Sequence, residues 1–284
     1  MSASLERFLS RRSFVEMTAR ERAQALLEPG ARELLGPFDR LHSPWLERQG
    51  IVPQEDDGMV VLRGRMDGQP AMVAAMESAF QGGSMGEVAG MKLVAALELT
   101  RLDHQRGIPT RPVLLLETGG VRLQEANLGL AVIAEIQDAI LALRPLVPVV
   151  AVIAGMVGCF GGMSLAACLC SHIVITRQGR LGMNGPEVIE QEAGIGELDA
   201  GDKRLIWSLI GGEQRAAVGL ADTLVEDDAE AVAAAVRAAF QAGPPWDYRS
   251  RQVPLFLERL RAIDPLQVAD GAALRALWGE GGSR

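Results

Sequence analysis

Apolar and polar positions alternate between strand-like and helix-like patterns from Gly58 to Val225. Short apolar runs predict strands, and five such runs precede a short edge strand that ends this region. The five runs are Met59–Met66, Ala71–Met76, Val113–Leu116, Val149–Ile153 and Ile173–Thr176. Asp67-Gly68 predicts a hairpin turn between the first two runs, whereas segments with helical spacing separate the later ones. This alternation predicts an α/β fold with a parallel sheet.

Four amphipathic segments predict helices that follow the strands. They run from Glu87 to about Arg106, from Leu130 to Ile140, from Met163 to Cys170 and from Lys203 to Ile210. The residues from Gly211 to Ala217 predict one further turn before the edge strand.

The N-terminal residues predict a helical arm. Thr18 and Glu21 have the spacing of a capping box, so Thr18 is expected to begin a helix that Pro29-Gly30 ends. A second helical piece is expected from Ala31 to Leu35. We interpret residues 1–52 as an arm that packs against the rest of the chain.

The C-terminal residues predict a helical tail. A helix over residues 229–241 ends before Gly243-Pro244-Pro245, which is a strong boundary signal. Another amphipathic helix is expected at Leu255–Ile263, and the chain end at Gly281-Gly282 is expected to fray. These signals divide the chain into three parts: the arm at 1–52, a core domain at 53–243 and a tail at 244–284.

Two of the predicted strands run into paired glycines at the start of a helix. Gly119-Gly120 follows one strand and Gly161-Gly162 follows the next. Without a Cβ, such a step points backbone N–H groups into one small space, which suits an oxyanion. Because neighbouring parallel strands end at the same edge of a sheet, both steps are expected to face one crevice.

Two structural alternatives exist for the second glycine step. No residue from Pro145 to Ser171 is charged, so a membrane helix has to be considered. Pro148 and four glycines between Gly155 and Gly162 argue against a membrane helix. The other alternative is a tightly packed core turn without chemistry.

A third glycine turn, Gly82-Gly83-Ser84, precedes the helix that begins near Glu87. Such a turn can cradle a phosphate or a thioester at a helix N-terminus. It lacks the lysine of a P-loop, so nucleotide hydrolysis fits poorly.

Composition narrows the function classes. The net charge of −8, with lysines and arginines scattered along the chain, disfavours nucleic-acid binding. The three cysteines (Cys159, Cys168 and Cys170) lie in the apolar stretch without metal-ligand spacing, so we expect neither a metal site nor a disulfide. Free thiols and the absence of a secretion signal suggest a cytoplasmic protein.

Four polar residues are further candidates for chemistry. Ser164 and His172 suggest a serine hydrolase, although Ser164 is better explained as a small helix-packing residue and His172 as a satisfied residue at a strand start. Glu117 and Glu125 suggest acid–base groups, although a structural role or a contact with Arg122 is the simpler expectation.

Four motifs together resemble the carboxyltransferase branch of the crotonase superfamily. Phe80–Gly86 is similar to the FxGGSxG turn of that branch, and Thr118–Glu125 is similar to its SGGARxQE segment. Phe160-Gly161-Gly162 stands at the position of its second Gly-Gly step, and Gly182–Pro186 stands at its GxxGP step. The resemblance implies a single carboxyltransferase-type domain with the crotonase-like (ClpP/crotonase) spiral of ββα units.

Within this branch the chain is most similar to the β subunits of malonate decarboxylases. It has no four-cysteine zinc module, unlike bacterial acetyl-CoA carboxylase β subunits, and it holds only one crotonase-like unit. The resemblance implies decarboxylation of a malonyl thioester on the pantetheine arm of an acyl-carrier protein. It also implies a second crotonase-like (gamma) subunit as partner, and no metal, flavin, nicotinamide or other cofactor bound by this chain.

The resemblance also suggests site residues. Gly161 and Gly162 are expected to be the catalytic N–H donors to the enolate, and a branched side chain at Gly162 is expected to fill the enolate position. The expected substrate-binding residues are Gly119, Gly120, Gly82, Gly83 and Ser84. Two other functions stay open: a carboxyltransferase subunit that passes the carboxyl group to biotin, and a non-catalytic partner of a neighbouring active subunit.

Overall fold

The computed structural model describes residues 11–52, 55–264 and 270–279. Residue 53, where the core domain is expected to begin, and Gly281-Gly282, expected to fray, lie outside these ranges. The strands are β1 (Arg32–Leu34), β2 (Met59–Met66), β3 (Gln69–Met76), β4 (Arg111–Leu115), β5 (Val150–Ile153), β6 (His172–Thr176) and β7 (Thr223–Val225).

Eleven α-helices lie within the described residues. They are α1 (Ala19–Ala25), α2 (Pro44–Arg48), α3 (Glu87–Gln105), α4 (Asn127–Leu143), α5 (Gly162–Leu169), α6 (Pro186–Ala193), α7 (Lys203–Ile210), α8 (Gly212–Ala217), α9 (Ala229–Ala242), α10 (Val253–Arg261) and α11 (Gly271–Gly279). The predicted capping box at Thr18 and Glu21 is confirmed at the start of α1.

The described strands form one seven-stranded sheet in sequence order. The first three strands pair antiparallel, and β3 to β7 pair parallel. The predicted hairpin between β2 and β3 and the predicted parallel sheet are therefore confirmed. Neighbouring strands consequently deliver their following turns to one edge of the sheet.

Two local predictions were wrong. The segment predicted as a helix at Ala31–Leu35 forms β1, because it pairs with the edge of β2, with Leu34 opposite Val61. The segment predicted as a turn near Gly211 forms the short helix α8. A Cβ at Gly212 would lie 1.9 Å from the carbonyl oxygen of Thr176, so this glycine permits close packing against β6.

A second row of short pairings crosses the turns that follow the strands. Isolated bridges join Met85 to Val121, Thr118 to Cys159, and Cys159 to Leu181. Each unit therefore consists of a long strand, a short bridging segment and a helix. This repeat is the predicted crotonase-like ββα unit.

Helices cover both faces of the sheet. Successive residues of a strand point to opposite faces, so Leu114 packs in the cluster with α3, α4 and α5, while Val113 and Leu115 pack in the cluster with α1 and α9. The uncharged run from Pro145 to Ser171 contributes β5 and α5 to this core. Within the described ranges, no helix has the length and hydropathy needed to cross a membrane.

A buried ion pair fixes α1 to the end of β4. Arg22 pairs with Glu117, and its Nε donates to the carbonyl oxygen of Phe14 at 2.8 Å. Both charged side chains are more than nine-tenths buried. A Cβ at Gly155 would lie 1.7 Å from a Glu117 oxygen, so the carboxylate also packs directly on the backbone after β5.

We expect Arg22→Met to destabilise the protein, because the substitution leaves the Glu117 carboxylate buried without its cation. Loss of one partner of a buried pair typically costs about 3–5 kcal/mol. The control is Arg101→Met, which removes a solvent-screened pair with Glu98 on the surface of α3 that is expected to contribute little to stability. Equilibrium urea unfolding measures both changes, and equal losses for the two variants would contradict the assignment.

Candidate functional site

The two paired-glycine turns lie side by side in backbone contact. Thr118 N–H donates to Gly158 O at 2.7 Å, and Phe160 N–H donates to Thr118 O at 3.0 Å. A Cβ at Gly161 would lie 3.2 Å from the Cα of Gly120. The structure thus brings the two predicted steps together at the edge of the sheet where β4 and β5 end.

The two glycines of the second step differ in their hydrogen bonding. Gly161 has φ +60°, and its N–H donates to Met183 O at 2.8 Å. Gly162 begins α5, and its N–H has no acceptor among the described residues. An unpaired N–H at a helix N-terminus, where the helix dipole is positive, can stabilise a negative oxygen.

The direction of a side chain at Gly162 differs from the expectation. A Cβ there would lie 2.8 Å from Cγ2 of Ile133 on α4, so it points into the contact between α4 and α5. A branched side chain at Gly162 would therefore disrupt helix packing and would not fill the space of an enolate oxygen. Gln137 on α4 supports the same turn, because its Nε2 donates to Gly162 O at 3.1 Å.

The first glycine step contains a donor that the sequence analysis missed. Gly119 N–H donates to Gly82 O at 3.0 Å, and Gly120 N–H donates to the Thr118 hydroxyl at 3.1 Å. Val121 N–H has no acceptor among the described residues, and its nitrogen lies 3.9 Å from the position of a Gly161 Cβ. Val121 and Gly162 thus place two unpaired N–H groups beside Gly161.

The third glycine turn joins the other two. Gly82 is exposed and accepts the hydrogen bond from Gly119, whereas a Cβ at Gly83 would lie 2.0 Å from Glu117 O. Ser84 is half-buried, and its hydroxyl accepts a hydrogen bond from Arg122 Nε at 3.1 Å. All seven predicted site residues therefore lie in one contiguous group of turns.

The structure does not bring Ser164 and His172 together. Ser164 Oγ donates to Gly161 O at 2.7 Å in the first turn of α5, whereas His172 Nε2 lies 2.8 Å from Gly243 O. His172 begins β6, one helix length further along the chain. The serine-hydrolase pair is therefore not formed.

The two candidate glutamates have structural partners. Glu125 pairs with Arg122, as expected, whereas Glu117 pairs with Arg22 of the arm. Both carboxylates are buried, and neither projects into the crevice as a free acid or base.

The cysteines are free thiols in the apolar core. Burial raises the pKa of Cys170 to about 12 and raises the pKa of Cys159, so both stay protonated and unreactive near neutral pH. Within the ranges that the structure describes, no three His, Cys, Asp or Glu side chains are arranged to hold a metal ion.

A cavity of about 830 Å³ adjoins the third glycine turn. Its walls come from α1, from the segment around Arg40 and His42, and from Glu77 to Phe80. Phe80, at the boundary of the cavity, immediately precedes the turn that carries Gly82.

Comparisons with known proteins agree with this geometry. Malonyl-S-ACP:biotin-protein carboxyltransferase of Malonomonas rubra is 40% identical over 230 residues, which cover 77% of this chain and 72% of that protein. A chain in the crystal structure of a Pseudomonas malonate decarboxylase hetero-tetramer in complex with malonate is 60% identical, with a TM-score of 0.92. That match covers 96% of this chain and 100% of the other.

A chain of a Pseudomonas malonate decarboxylase hetero-dimer is 55% identical, with a TM-score of 0.75, and the match covers 88% of this chain and 97% of that chain. The predicted resemblance to malonate decarboxylase subunits is thus confirmed. Residues 12–256 match the family model described as carboxyl transferase domain. The chain therefore belongs to the carboxyl transferase domain family.

Proposed function

We propose that this chain is the subunit of a malonate decarboxylase that converts a malonyl thioester on an acyl-carrier protein into the acetyl thioester. The observation that carries the proposal is the pair of unpaired N–H groups, at Val121 and Gly162, on two turns in backbone contact. The similarity to Pseudomonas malonate decarboxylase supports the choice of reaction.

The reaction needs donors at one oxygen. Breaking the bond between the carboxylate and the α-carbon releases carbon dioxide and leaves the electron pair on the thioester as an enolate. A proton added to the α-carbon then gives the acetyl thioester. A fixed donor to the enolate oxygen contributes about 3–4 kcal/mol, judged from oxyanion-hole removals in other enzymes. No metal, flavin or nicotinamide is required for this step.

We assign the donor roles to Gly162 and Val121. Gly161 contributes to catalysis through its backbone, because its positive φ and missing Cβ let the two turns approach. Gly119 and Gly120 line the thioester side of the crevice. Gly82, Gly83 and Ser84 guide the pantetheine arm from the cavity beside Phe80.

We propose that a second crotonase-like (gamma) subunit covers the crevice. Three apolar side chains that lie in or next to the glycine turns in sequence are exposed: Leu123, Met156 and Met183 have relative exposures of 79, 59 and 55%. A covered crevice excludes water, which strengthens every dipole that faces the enolate. The Pseudomonas hetero-dimer supports this assembly. We place the complex in the cytoplasm, where the free thiols stay reduced.

A second candidate function is transfer of the carboxyl group to biotin. The relative from Malonomonas rubra, named as a biotin-protein carboxyltransferase, favours it. A third is a non-catalytic partner subunit that only completes the site of its neighbour.

The test is a decarboxylation assay on the complex coexpressed with its second subunit and carrier protein. We expect release of carbon dioxide from malonyl-carrier, with no loss of rate when avidin is added to trap biotin. Inhibition by avidin would instead indicate the carboxyltransferase. We expect the isolated chain to be inactive, because its crevice stays open to water; turnover equal to that of the complex would contradict the two-subunit site.

We expect Gly119→Ala to lower kcat/KM about tenfold, which corresponds to about 1.4 kcal/mol. The added Cβ would meet Gly82 O at 3.3 Å and otherwise point into open space at the crevice, with no left-handed φ to strain. The matched control is Gly196→Ala, whose Cβ meets nothing within 4 Å. Equal activity of both variants in steady-state assays would remove Gly119 from the site.

We expect Ser164→Ala to keep activity within about threefold, since the hydroxyl donates to Gly161 O inside the helix turn and its loss affects stability rather than a catalytic group. A fluorophosphonate probe should leave the wild-type chain unlabelled, because the Ser164 hydroxyl has no histidine base. Labelling at Ser164, measured by mass spectrometry, would favour a hydrolase over a decarboxylase.

A further inference from the structure

Arg122 is completely buried, and all five of its side-chain N–H groups have acceptors. Nε donates to Ser84 Oγ at 3.1 Å, while Nη1 donates to Asp57 Oδ1 and, at 3.0 Å, to Glu125 Oε1. Nη2 donates to the carbonyl oxygens of Asp57 at 3.0 Å and Ser84 at 2.7 Å. Because a guanidinium has only five N–H groups, none remains for a substrate. Arg122 can therefore act only through the residues that it holds.

The residues around Arg122 come from separate segments. Asp57 belongs to the turn before β2, and Glu125 Oε2 accepts the N–H of Glu87 at 2.7 Å, at the first residue of α3. A Cβ at Gly86 would lie 2.4 Å from Glu125 Oε1. The charged groups are thus enclosed between three backbone segments with no room for a larger residue.

The same segments carry the proposed site. Val121 directly precedes Arg122, and the backbone N–H of Arg122 donates to Met85 O at 2.9 Å. Met85 N–H in turn donates to Gly120 O at 2.7 Å. A shift of the Arg122 side chain would consequently move the Ser84 turn relative to the Val121 N–H.

We infer that Asp57, Arg122 and Glu125 form a positioning triad that sets the geometry between the Ser84 turn and the Val121 donor. The role in decarboxylation rests on the proposed function, whereas the positioning of the two turns does not. A purely stabilising role explains the triad poorly, because apolar residues of similar volume often stabilise a core as well as buried ions do. Asp57 also has a left-handed φ of 60°, and its Oδ2 has no hydrogen-bond partner among the described residues.

The triad has a pH signature. Burial raises the pKa of Asp57 to about 6; the charge of Arg122 lowers it and that of Glu125 raises it. The other charged groups packed beside Asp57 are Asp56 and Lys92, which pair with each other at 3.3 Å. Asp57 is ionised above pH 6 and protonated below it. The charged contact to Arg122 is therefore present at pH 7 and lost as the pH falls through about 6.

The primary test is Asp57→Asn, made in the complex with the second subunit and assayed with malonyl-carrier. We expect kcat to fall at least tenfold at pH 7.5 with KM changed less than threefold, because misplacement affects the reacting geometry more than binding. In the wild type we expect kcat to fall as the pH decreases through about 6, and this part of the pH–rate profile should be absent in the variant. Glu125→Gln, which keeps the shape of the side chain, serves if Asp57→Asn does not fold.

The matched control is Asp103→Asn. Asp103 is a buried aspartate near the C-terminal end of α3 that pairs with Arg63, and it makes no contact with Arg122. We expect its kcat and pH profile to stay within twofold of wild type. An equal loss of kcat in both aspartate variants would show that the triad has only a structural role. Unchanged kcat in Asp57→Asn would overturn the inference.

Amide hydrogen exchange separates this inference from the proposed function. In Asp57→Asn, the N–H groups of Met85 and Gly119, which link the turns, should exchange at least tenfold faster than in Asp103→Asn. If the wild-type complex does not decarboxylate malonyl-carrier, the proposed function fails while this readout still tests the positioning. Equal exchange in the two variants would contradict positioning even in an active enzyme.

Discussion

The candidate site depends on three glycine turns that pack backbone against backbone at one edge of the sheet. A Cβ at Gly83 would lie 2.0 Å from Glu117 O, and one at Gly161 would lie 3.2 Å from the Cα of Gly120. The primary role of glycine at these positions is to let the turns approach closely, and the unpaired N–H groups result from that close packing. Gly82 O, Thr118 O and Met183 O accept the hydrogen bonds that join the turns. Among the described residues beside Gly161, the N–H groups that remain without an acceptor belong to Val121 and Gly162.

Buried charges hold these turns from behind. Arg22 reaches Glu117 from the arm, and Arg122 reaches Asp57 from the loop before β2. Each pair joins residues that are far apart in sequence, and each ends within two residues of a glycine turn. Desolvation offsets much of the attraction in such pairs, so their net contribution to stability is small compared with the cost of removing one partner. We infer that their main contribution is to fix the distance between backbone segments that are far apart in sequence.

The sequence predicted the hairpin, the parallel sheet and the adjacency of the two paired-glycine turns, because these follow from local patterns and from the geometry of parallel strands. It did not predict β1, since Arg32–Leu34 becomes a strand only by pairing with β2. It also could not show that Gly161 N–H is already bonded to Met183 O or that a Cβ at Gly162 points toward Ile133. These properties depend on peptide orientation and on residues distant in sequence. Val121 was missed for the same reason, because an unpaired N–H has no signature in residue type.

The exposure of the crevice indicates that this chain and the proposed second subunit contribute different groups to the site. This chain supplies rigid backbone dipoles, and they act on an enolate only where water is excluded, because bulk water screens a charge interaction about fourfold more strongly than a protein surface does. Gly119 and Met183 are exposed beside the glycine turns, while Arg122 and Glu117 behind the turns are each held by a buried ionic partner. Because both side chains are already occupied, neither is free to bind the carboxylate of a malonyl group. The groups that recognise this carboxylate are therefore best supplied from the opposite wall, by the proposed second subunit.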